Sequence, residues 1–231
     1  MNKLTNTKFN RLLKYYSLIN YDLIYNNKSI NRYKNKTVNK NKTEKLEKLK
    51  KNISNIKNCL LKKNANNLVF SDGNPNSKIM IIGEGPGANE DKEGLPFVGR
   101  AGQLLDKMLA AIKLDRDKVY ITNVVNFRPP ENRKPTTEEI NRYLPFLKEH
   151  IEIIKPNILV LLGSTALNAL IGDEVVISKA RGKWINKQIG NISLNIIASF
   201  HPAFLMRQPE QKKLAWLDLK MIKKMSEKLK I

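Results

Sequence analysis

The sequence predicts an α/β fold from about Asn64 onward, a three-layer sandwich with a mainly parallel central sheet flanked by helices. Short apolar runs alternate there with longer segments whose apolar residues recur at helical spacing, which is typical of parallel sheets. Polar residues directly follow several apolar runs, where the sites of such folds lie. The predicted strands are Ile79–Ile82, Val119–Val125, Asn157–Leu162 and Leu194–Phe200.

The predicted helices lie between and after these strands. The helix from Thr136 follows Pro135 and carries Glu138 and Glu139 in its first turn, as helix N-termini favour. The helix Arg100–Ile112 carries Leu104, Leu105, Met108 and Leu109 on one face, as a helix that packs on a sheet does. The predicted helices are Arg100–Ile112, Thr136–Ile154, Gly163–Leu170 and Glu210–Leu229.

Composition excludes several classes of protein. The chain of 231 residues is 41% hydrophobic, which is enough for a packed core. It has no run of 18 apolar residues, so we expect no membrane span, and its N-terminus lacks the apolar core of a signal peptide. The lone cysteine, Cys59, excludes a disulfide within the chain and fits a reducing compartment. We therefore expect a cytoplasmic protein.

The net charge of +21 favours a polyanionic partner, and it is unevenly placed. Residues 1–63 hold 17 Lys or Arg against 3 Asp or Glu, whereas residues 64–231 hold 25 against 18. The N-terminal part is therefore either a polyanion-binding arm or the product of AT-rich coding drift with no specific role. The domain itself is only modestly basic.

We expect two parts in the chain, a Lys- and Asn-rich leader at 1–55 and a domain at 56–231. The stretch Asn26–Lys42 is polar and of low complexity, which predicts disorder. Helical spacing of apolar residues over Phe9–Ile24 and Thr43–Lys62 predicts helices on either side of it.

A glycine-rich loop, Gly83–Gly87, follows the first predicted strand. It is not a Walker loop, because no Gly-Lys-Ser/Thr follows. Its glycines either bring the backbone close to a ligand or only form a turn. Glu84 and Glu90 add carboxylates to this loop. Phe97, further along, either stacks on a base or fills the local core.

Polar residues also end the later strands. Asn123 ends the second strand, and His201 follows the last, where its imidazole either faces the cleft or is structural. Ser164, at a helix start, either donates to a phosphate or caps its helix. The other histidine, His150, lies among charged residues late in its helix, so we expect it to be solvated.

Two segments have the composition of DNA contacts. The stiff basic loop that begins at Arg128 is suited to touching a phosphate backbone or only to packing. Phe204–Arg207 is an apolar tip with a cation, which is suited to wedging into a duplex beside a vacated base position.

In order along the chain, these segments resemble the family 4 uracil-DNA glycosylases of bacteria and archaea. The resemblance covers roughly Cys59 to Leu219 and rests on five stretches found together in order. They are VFSDGNPNSKIMIIGEGPGANEDKEGLPFVGRAGQLLDKML, VYITNVVNFRPPENRKPT, PNILVLLGSTAL, SKARGKW and FHPAFLMRQP.

The resemblance implies an uracil-binding site and catalytic groups. Phe97 would stack on an extruded uracil, Asn123 would read its Watson–Crick edge, and His201 would stabilise charge at its O2. Gly83 and Gly85 would form the backbone cradle, and the group that activates water is left open among Glu84, Glu90 and Asn132. The residues expected to contact DNA are Ser164, Arg128, Arg181, Leu205, Met206 and Arg207.

The chain departs from the family at its iron–sulfur cluster. Members of the family usually hold a [4Fe-4S] cluster through four cysteines, of which this chain matches only Cys59. Ile56, Phe127 and Tyr143 stand at the other three positions. One thiolate does not hold a cluster, so we expect no cofactor and no metal site, with an apolar plug in place of the cluster.

The expected activity is hydrolysis of the N-glycosidic bond of uracil in DNA, which leaves an abasic site for base excision repair. We expect a monomer that acts on uracil-containing DNA by flipping the base, with no membrane partner. Two alternatives are a non-catalytic DNA-binding module of the same fold and a glycosylase for another damaged base.

Overall fold

A computed structural model describes the backbone of residues 33–231 and the side chains from residue 41 onward. The predicted helix over Phe9–Ile24 lies outside the described residues, as does the part of the predicted disordered stretch before Tyr33. The segment Lys40–Ile231 forms one compact unit around a six-stranded sheet.

The sheet has the strand order β1-β3-β2-β4-β6-β5. The four central strands, β3, β2, β4 and β6, run parallel, and both edge strands run antiparallel to their neighbours. The strands are β1 Asp72–Gly73, β2 Ile79–Gly83, β3 Tyr120–Asn123, β4 Ile158–Leu162, β5 Trp184–Ile189 and β6 Ile192–Ser199.

The sheet is buried on both faces. In β2, Met80 and Ile82 belong to one apolar core and Ile79 and Ile81 to another, because successive side chains of a strand point to opposite faces. Parallel strands buried in this way have the continuous apolar sequence on which the strand predictions rest. The sheet is the middle of three layers, which confirms the predicted sandwich.

Helices cover both faces. Helices α1, α2, α5, α6 and α7 bury side chains in the first core, and α4, α8 and α9 bury theirs in the second. Three short 3₁₀ turns, at Arg116–Lys118, Pro130–Asn132 and Pro209–Gln211, join neighbouring elements. The helices are α1 Tyr33–Ser54, α2 Leu60–Asn64, α3 Ala88–Glu93, α4 Arg100–Ala111, α5 Thr137–Ile154, α6 Ser164–Leu170, α7 Ile177–Ala180, α8 Pro202–Arg207 and α9 Lys212–Leu229.

Helix α1 differs from its prediction. It begins at Tyr33, inside the stretch predicted to be disordered, and ends at Ser54, where a bend at Asn58 (φ 52°) separates it from α2. The predicted boundary between leader and domain lay at residue 55, yet Leu49 and Ile53 of α1 are buried in the first core. Truncations are therefore better placed before Lys40, where the compact unit begins.

Lys42, near the middle of α1, contacts the loop before β2 and the end of α5. Its Nζ donates to the backbone oxygens of Pro75 at 3.0 Å and Ile154 at 3.1 Å. Ile154 ends α5, so the ammonium group lies at the negative end of that helix, where a cation is favoured.

His150 corrects an expectation. It was expected to be solvated, but only 2% of it is exposed. Its Nε2 lies 2.8 Å from the hydroxyl of Tyr120, and its ring stacks on Phe70 with centroids 4.6 Å apart. The charged neighbours in sequence point elsewhere, because helical spacing turns position 150 toward the sheet. Burial lowers the pKa of His150 to about 3.

No helix within residues 33–231 is both long enough and apolar enough to cross a membrane.

Candidate active site

A cavity of about 170 Å³ lies at the carboxyl ends of β2 and β3, beside the start of α8. A cavity of ~150 Å³ in another protein holds one benzene molecule, so this volume is on the scale of one small ring. Seven residues singled out from the sequence line it, namely Glu84, Gly85, Glu90, Phe97, Asn123, Asn132 and His201.

Gly83, the last residue of β2, lies beneath two of these side chains. A Cβ at this position would come 2.5 Å from Cζ of Phe97 and would also clash with Oδ1 of Asn123. At Gly85, a Cβ would come 2.8 Å from Cγ2 of Val125. Gly83 therefore allows Phe97 and Asn123 to pack directly on the backbone, and Gly85 does the same for Val125.

Phe97 forms one wall of the cavity. Its ring is 5% exposed and stacks against the imidazole of His201, with ring centroids 5.6 Å apart and planes 29° from parallel. Its backbone has φ 56°, a left-handed conformation that bulky residues rarely adopt. The surroundings must therefore hold this conformation in place.

Asn123 presents a buried acceptor at the end of β3. The residue is 3% exposed, and its Oδ1 finds no hydrogen-bond partner among the residues that the structure describes. A buried polar atom without a partner costs about 1–3 kcal/mol, so such groups are uncommon unless a ligand satisfies them. A ligand with an N–H or O–H donor fits this position.

His201 presents a donor to the same cavity. It is the N-cap of α8, where its Nδ1 accepts the backbone N–H of Ala203 at 3.2 Å. Burial, and secondarily the charge of Arg207, lower the pKa of His201 to about 4, against an opposing effect of Glu90. The imidazole is therefore neutral at pH 7, and with Nδ1 accepting, its proton resides on Nε2.

The two carboxylates of the loop, Glu84 and Glu90, have different hydrogen-bond partners. Glu90 accepts the backbone N–H of Gly87 at 3.1 Å and that of Gly99 at 2.8 Å, one with each carboxylate oxygen. It therefore ties together the two ends of the loop around the cavity. Glu84 accepts the hydroxyl of Thr165 with Oε2 and lines the cavity.

The basic loop forms the rim of the cavity. Arg128 donates to Oδ1 of Asn132 at 2.8 Å, and Arg133 pairs with Glu139 at 2.7 Å. Glu139 also completes the capping box of α5 with Thr136, so this rim is fixed to a helix start. Asn132 and Arg133 line the cavity.

Two residues that were expected to contact DNA are instead engaged inside the fold. Arg181 donates to Asp218, which is fully buried, and its guanidinium lies 5.5 Å from the ring centroid of Phe200. A buried carboxylate needs such a counter-charge, so Arg181 is held inside the fold. Leu205 is 1% exposed and packs in the second core, so it does not form the tip of a wedge.

Three other residues that were expected to contact DNA are at least partly exposed at the surface. Arg207 is exposed and Met206 is partly exposed at the end of α8. Ser164 is the first residue of α6, whose N-cap is Gly163 (φ 91°), so the alternative that Ser164 caps the helix is wrong. A Cβ at Gly163 would come 3.1 Å from Cβ of His201, which places this helix start beside the imidazole.

Sequence reasoning missed Thr165 and Arg116. Thr165 holds Glu84, and its only sequence signal was its place beside Ser164 at a strand end. Arg116 lies outside the cavity but donates to the backbone oxygen of Phe97. No local motif marks Arg116, because its partners are distant in sequence.

The four positions of the expected cluster lie in one apolar core. Cys59 and Phe127 are each 5% exposed, Tyr143 is fully buried, and Ile56 packs against the same core. The Cys59 Sγ lies 3.3 Å from the Tyr143 hydroxyl. Burial raises the pKa of Tyr143 well above its usual range, so the phenol stays protonated.

This set of side chains does not fit an iron–sulfur cluster, which requires several thiolates. The Arg142 guanidinium also donates to the backbone oxygens of Lys57 at 3.0 Å and Asn58 at 2.7 Å, which closes the loop at the first ligand position. Within the described part of the chain, no group of three or more His, Cys, Asp or Glu side chains is arranged to hold a metal ion.

The sheet is mostly parallel, and its carboxyl edge holds a ring-sized cavity lined by an aromatic ring, an amide and a neutral imidazole. Comparison with known protein families identifies the class of protein that has this site. The family model described as the uracil DNA glycosylase superfamily matches residues 70–222. The chain belongs to this superfamily. Within the superfamily, the chain belongs to the type-4 uracil-DNA glycosylases, because several proteins similar to it carry that name.

Several similar proteins carry the type-4 name, including those of three organisms. The type-4 uracil-DNA glycosylase of Thermotoga maritima is 47% identical over 150 residues, 64% of this chain and 77% of the relative. That of Sulfurisphaera tokodaii is 40% identical over 186 residues, 78% of this chain and 84% of the relative. That of Archaeoglobus fulgidus is 38% identical over 183 residues, 78% of this chain and 92% of the relative.

Proposed function

We propose that this chain hydrolyses the N-glycosidic bond of uracil in DNA and leaves an abasic site for base excision repair. The observation that carries the proposal is the pairing of groups in one cavity. Asn123 offers an acceptor that lacks a partner in the described chain, and His201 offers a neutral N–H beside the Phe97 ring. Family membership supports the same activity.

Asn123 accounts for the choice of base. Uracil presents an N–H donor at N3 and an acceptor at O4, and the Asn123 amide offers the complementary acceptor and donor. With the amide in that orientation, cytosine N3 has no hydrogen for the Asn123 Oδ1, and the cytosine N4 amino group meets the amide N–H as donor against donor. Sites built on such pairing reject the mismatched analogue strongly, by about 10⁴-fold or more.

His201 accounts for the stabilisation of the leaving group. Cleavage passes through an oxocarbenium-like sugar while negative charge develops on the departing uracil. A neutral imidazole whose Nε2–H faces uracil O2 stabilises that charge, and one preorganised donor of this kind contributes ~3–4 kcal/mol. The hydrogen bond from Ala203 to Nδ1 fixes the tautomer that the reaction requires.

Glu84 is our candidate for the group that orients water. Both carboxylate oxygens of Glu90 already accept backbone N–H groups, so Glu90 serves to hold the loop. Glu84 lines the cavity and uses Oε2 for Thr165, which leaves Oε1 to accept a proton from water. An oxocarbenium-like path needs only weak activation of the nucleophile.

DNA is the partner of this activity, and the rim of the cavity is where we place it. Arg128 and Arg207 supply positive charge, Ser164 a hydroxyl, and Met206 an apolar surface for the gap left by the flipped nucleotide. A single damaged nucleotide needs only one cavity, so we propose a monomer. A DNA substrate and a lone cysteine agree with a place in the cytosol or nucleoid.

A uracil-containing oligonucleotide tests the proposed function. We expect strand scission after alkali for a U·G or U·A duplex or a single strand carrying uracil, and none for the matched cytosine strand. Absence of scission on all three uracil substrates would overturn the glycosylase assignment and favour a DNA-binding module. Scission only at another damaged base would assign a different substrate.

We further propose that the chain works without the iron–sulfur cluster that type-4 enzymes carry. The hydrogen-bonded Cys59–Tyr143 pair and its apolar neighbours support this. Protein purified without oxygen should contain neither iron nor acid-labile sulfide and should show no absorbance band of a cluster. Iron and sulfide in the stoichiometry of a [4Fe-4S] cluster would refute the proposal whatever the activity.

A further inference from the structure

Phe97 holds a backbone conformation that its own side chain disfavours. Its φ of 56° lies in the left-handed region, where the Cβ crowds the following carbonyl. Asn, Asp and Gly adopt this region most readily, and aromatic residues seldom do so. Something outside the ring must therefore fix the peptide groups on either side of Phe97.

Arg116 makes the contacts that do so. From the 3₁₀ turn before β3, its guanidinium donates to the backbone oxygen of Phe97 through Nη2 and to that of Pro96 at 3.2 Å through Nη1. Two successive carbonyl groups are thus held by one rigid planar group. Fixing both ends of a residue restricts its φ and ψ together.

Two carboxylates fix the guanidinium in turn. Asp72 of β1 accepts from Nη1 at 2.5 Å, and Asp106 of α4 accepts from Nε at 2.9 Å. The Arg116 side chain is 25% exposed, so these charge-assisted bonds are partly shielded from solvent. The orientation of Arg116 is therefore set by the sheet and by helix α4.

Helix α4 closes the other side of the Phe97 peptide. A Cβ at Gly102 would lie 2.8 Å from the Cα of Phe97 and would overlap its carbonyl group. The carbonyl is thus confined between the first turn of α4 and Arg116. With the backbone fixed, the ring extends over Gly83 to meet His201.

We propose that Arg116, which lies outside the cavity, is a positioning residue that holds Phe97 in its left-handed conformation and thereby places the ring that stacks on the base. This inference rests on the proposed function, because it assigns Phe97 to the bound uracil. Arg116 touches neither base nor sugar. Its effect on the reaction therefore passes entirely through Phe97.

A double-mutant cycle tests this dependence. We expect Arg116→Ala to lower the single-turnover rate of uracil release by about 10- to 100-fold, the scale of a small misplacement in an active site. In a Phe97→Ala background the same substitution should have little further effect on that rate. Equal losses in both backgrounds would show that Arg116 acts elsewhere, and an unchanged rate in Arg116→Ala would also refute the inference.

Two further variants separate positioning from loss of stability. Asp106→Asn weakens one hold on the guanidinium and should give a smaller loss of rate in the same direction. Ile112→Ala removes a buried side chain near the 3₁₀ turn and should lower Tm without a loss of rate at temperatures well below Tm. A rate loss in Ile112→Ala like that of Arg116→Ala would identify a general structural effect.

Hydrogen exchange provides a reading that is independent of activity. In Arg116→Ala, the backbone amides of Leu95 and of residues 97–100 should exchange faster than in the unmodified protein, while those of β4 should not change. Unchanged exchange at 95–100 would defeat the inference even in an active enzyme. If the unmodified protein released no uracil, the proposed function would fail, and this measurement would still decide whether Arg116 holds the loop.

Discussion

Two residues of the cavity, Asn123 and His201, have opposite relations to the folded chain. His201 satisfies its Nδ1 within the fold, whereas the Asn123 Oδ1 has no partner in the part of the chain that the structure describes. The first is therefore preorganised at no cost in hydrogen bonding. The buried Asn123 Oδ1 lowers the stability of the free protein, and a ligand that donates a hydrogen bond to it would remove this cost.

Asn123→Leu should separate stability from function. Leucine of similar size removes the buried acceptor, so we expect Tm to stay or to rise by about 2–4 °C for each kcal/mol recovered. Uracil release should fall by at least about a hundredfold. The matched control is Asn126→Leu, because Asn126 donates to Val69 O at 3.0 Å and its loss should lower Tm. A large fall of Tm in Asn123→Leu would contradict our reading of the Oδ1.

His201→Ala should lower turnover far more than DNA affinity. Loss of one preorganised donor typically reduces the rate by about 10²–10³-fold, whereas phosphate contacts supply most of the affinity. His201→Asn is the control, because asparagine can still cap α8 but cannot place a donor at the Nε2 position. Single-turnover rates and Kd for uracil-containing duplex give the comparison. Parallel losses in both quantities would argue against the assigned role.

Among the helices and strands, α1 and α5 differ most from what their sequences led us to expect about burial. Helix α1 belongs to a segment that resembles a solvated leader, yet it packs a face of Leu46, Leu49 and Ile53 into the first core. Helix α5 turns His150 inward, onto Tyr120 of β3. In both cases a few buried positions outweigh a polar surrounding sequence.

Leu49→Ala should destabilise the protein substantially. Leu49 is fully buried, and leucine-to-alanine changes at such sites cost about 2–5 kcal/mol. The neighbouring exposed residue gives the control, since Lys50→Ala on the same helix should change the free energy of unfolding very little. Urea denaturation measures both. A Leu49→Ala protein as stable as Lys50→Ala would show that α1 is not part of the folded unit in solution.

His150 should make the fold sensitive to acid. Its pKa of about 3 in the folded state lies below the ordinary value of about 6.5, so the unfolded chain takes up a proton first as pH falls. The free energy of unfolding should therefore decrease from about pH 6.5 downward. In His150→Gln the free energy of unfolding should decrease less steeply than in the unmodified protein. Denaturation of both proteins at a series of pH values from about 7.5 downward measures this difference. Parallel curves would contradict the assignment.

At the scale of the molecule, charge is the dominant feature. Residues 1–39 hold eight Lys or Arg and one acidic residue, and they precede the compact unit. The rim of the cavity adds its own cations, so the chain has two sources of attraction for DNA. Their contributions can be separated because residues 1–39 precede the compact unit and the rim of the cavity lies within it.

Deletion of residues 1–39 should reduce the salt dependence of DNA binding while leaving uracil release intact. Each phosphate neutralised contributes about −0.9 to the slope of log K against log salt. A cut at 39 spares the buried residues of α1, which a cut at 55 would remove. Titrations at several salt concentrations, with single-turnover rates at saturating protein, give both quantities. An unchanged slope would show that the N-terminal residues take no part in binding.

Much of the fold follows from local sequence because its central strands are buried on both faces. Ile79–Ile82 and Ile158–Leu162 are uniformly apolar, and the run before Asn123 has one polar residue, Thr122. All three runs form strands of the sheet. The edge strands were missed for the opposite reason. β1 has two residues, and β5 from Trp184 to Ile189 is mostly half-exposed, so neither forms a continuous apolar run.

Asn123 and His201 were identified from the sequence by their positions at strand ends, and Phe97 by its place on the long loop after the first strand. The sequence resemblance suggested their roles. The sequence by itself determined the layered fold, the family and the replacement of three cluster cysteines, because these depend on apolar patterns and residue identities. Only the tertiary structure decided which groups are already engaged. Arg181, Leu205 and Glu90 are held internally, and Arg116 reaches Phe97 from 19 positions away. Such engagement depends on distances between segments remote in sequence, which no local pattern encodes.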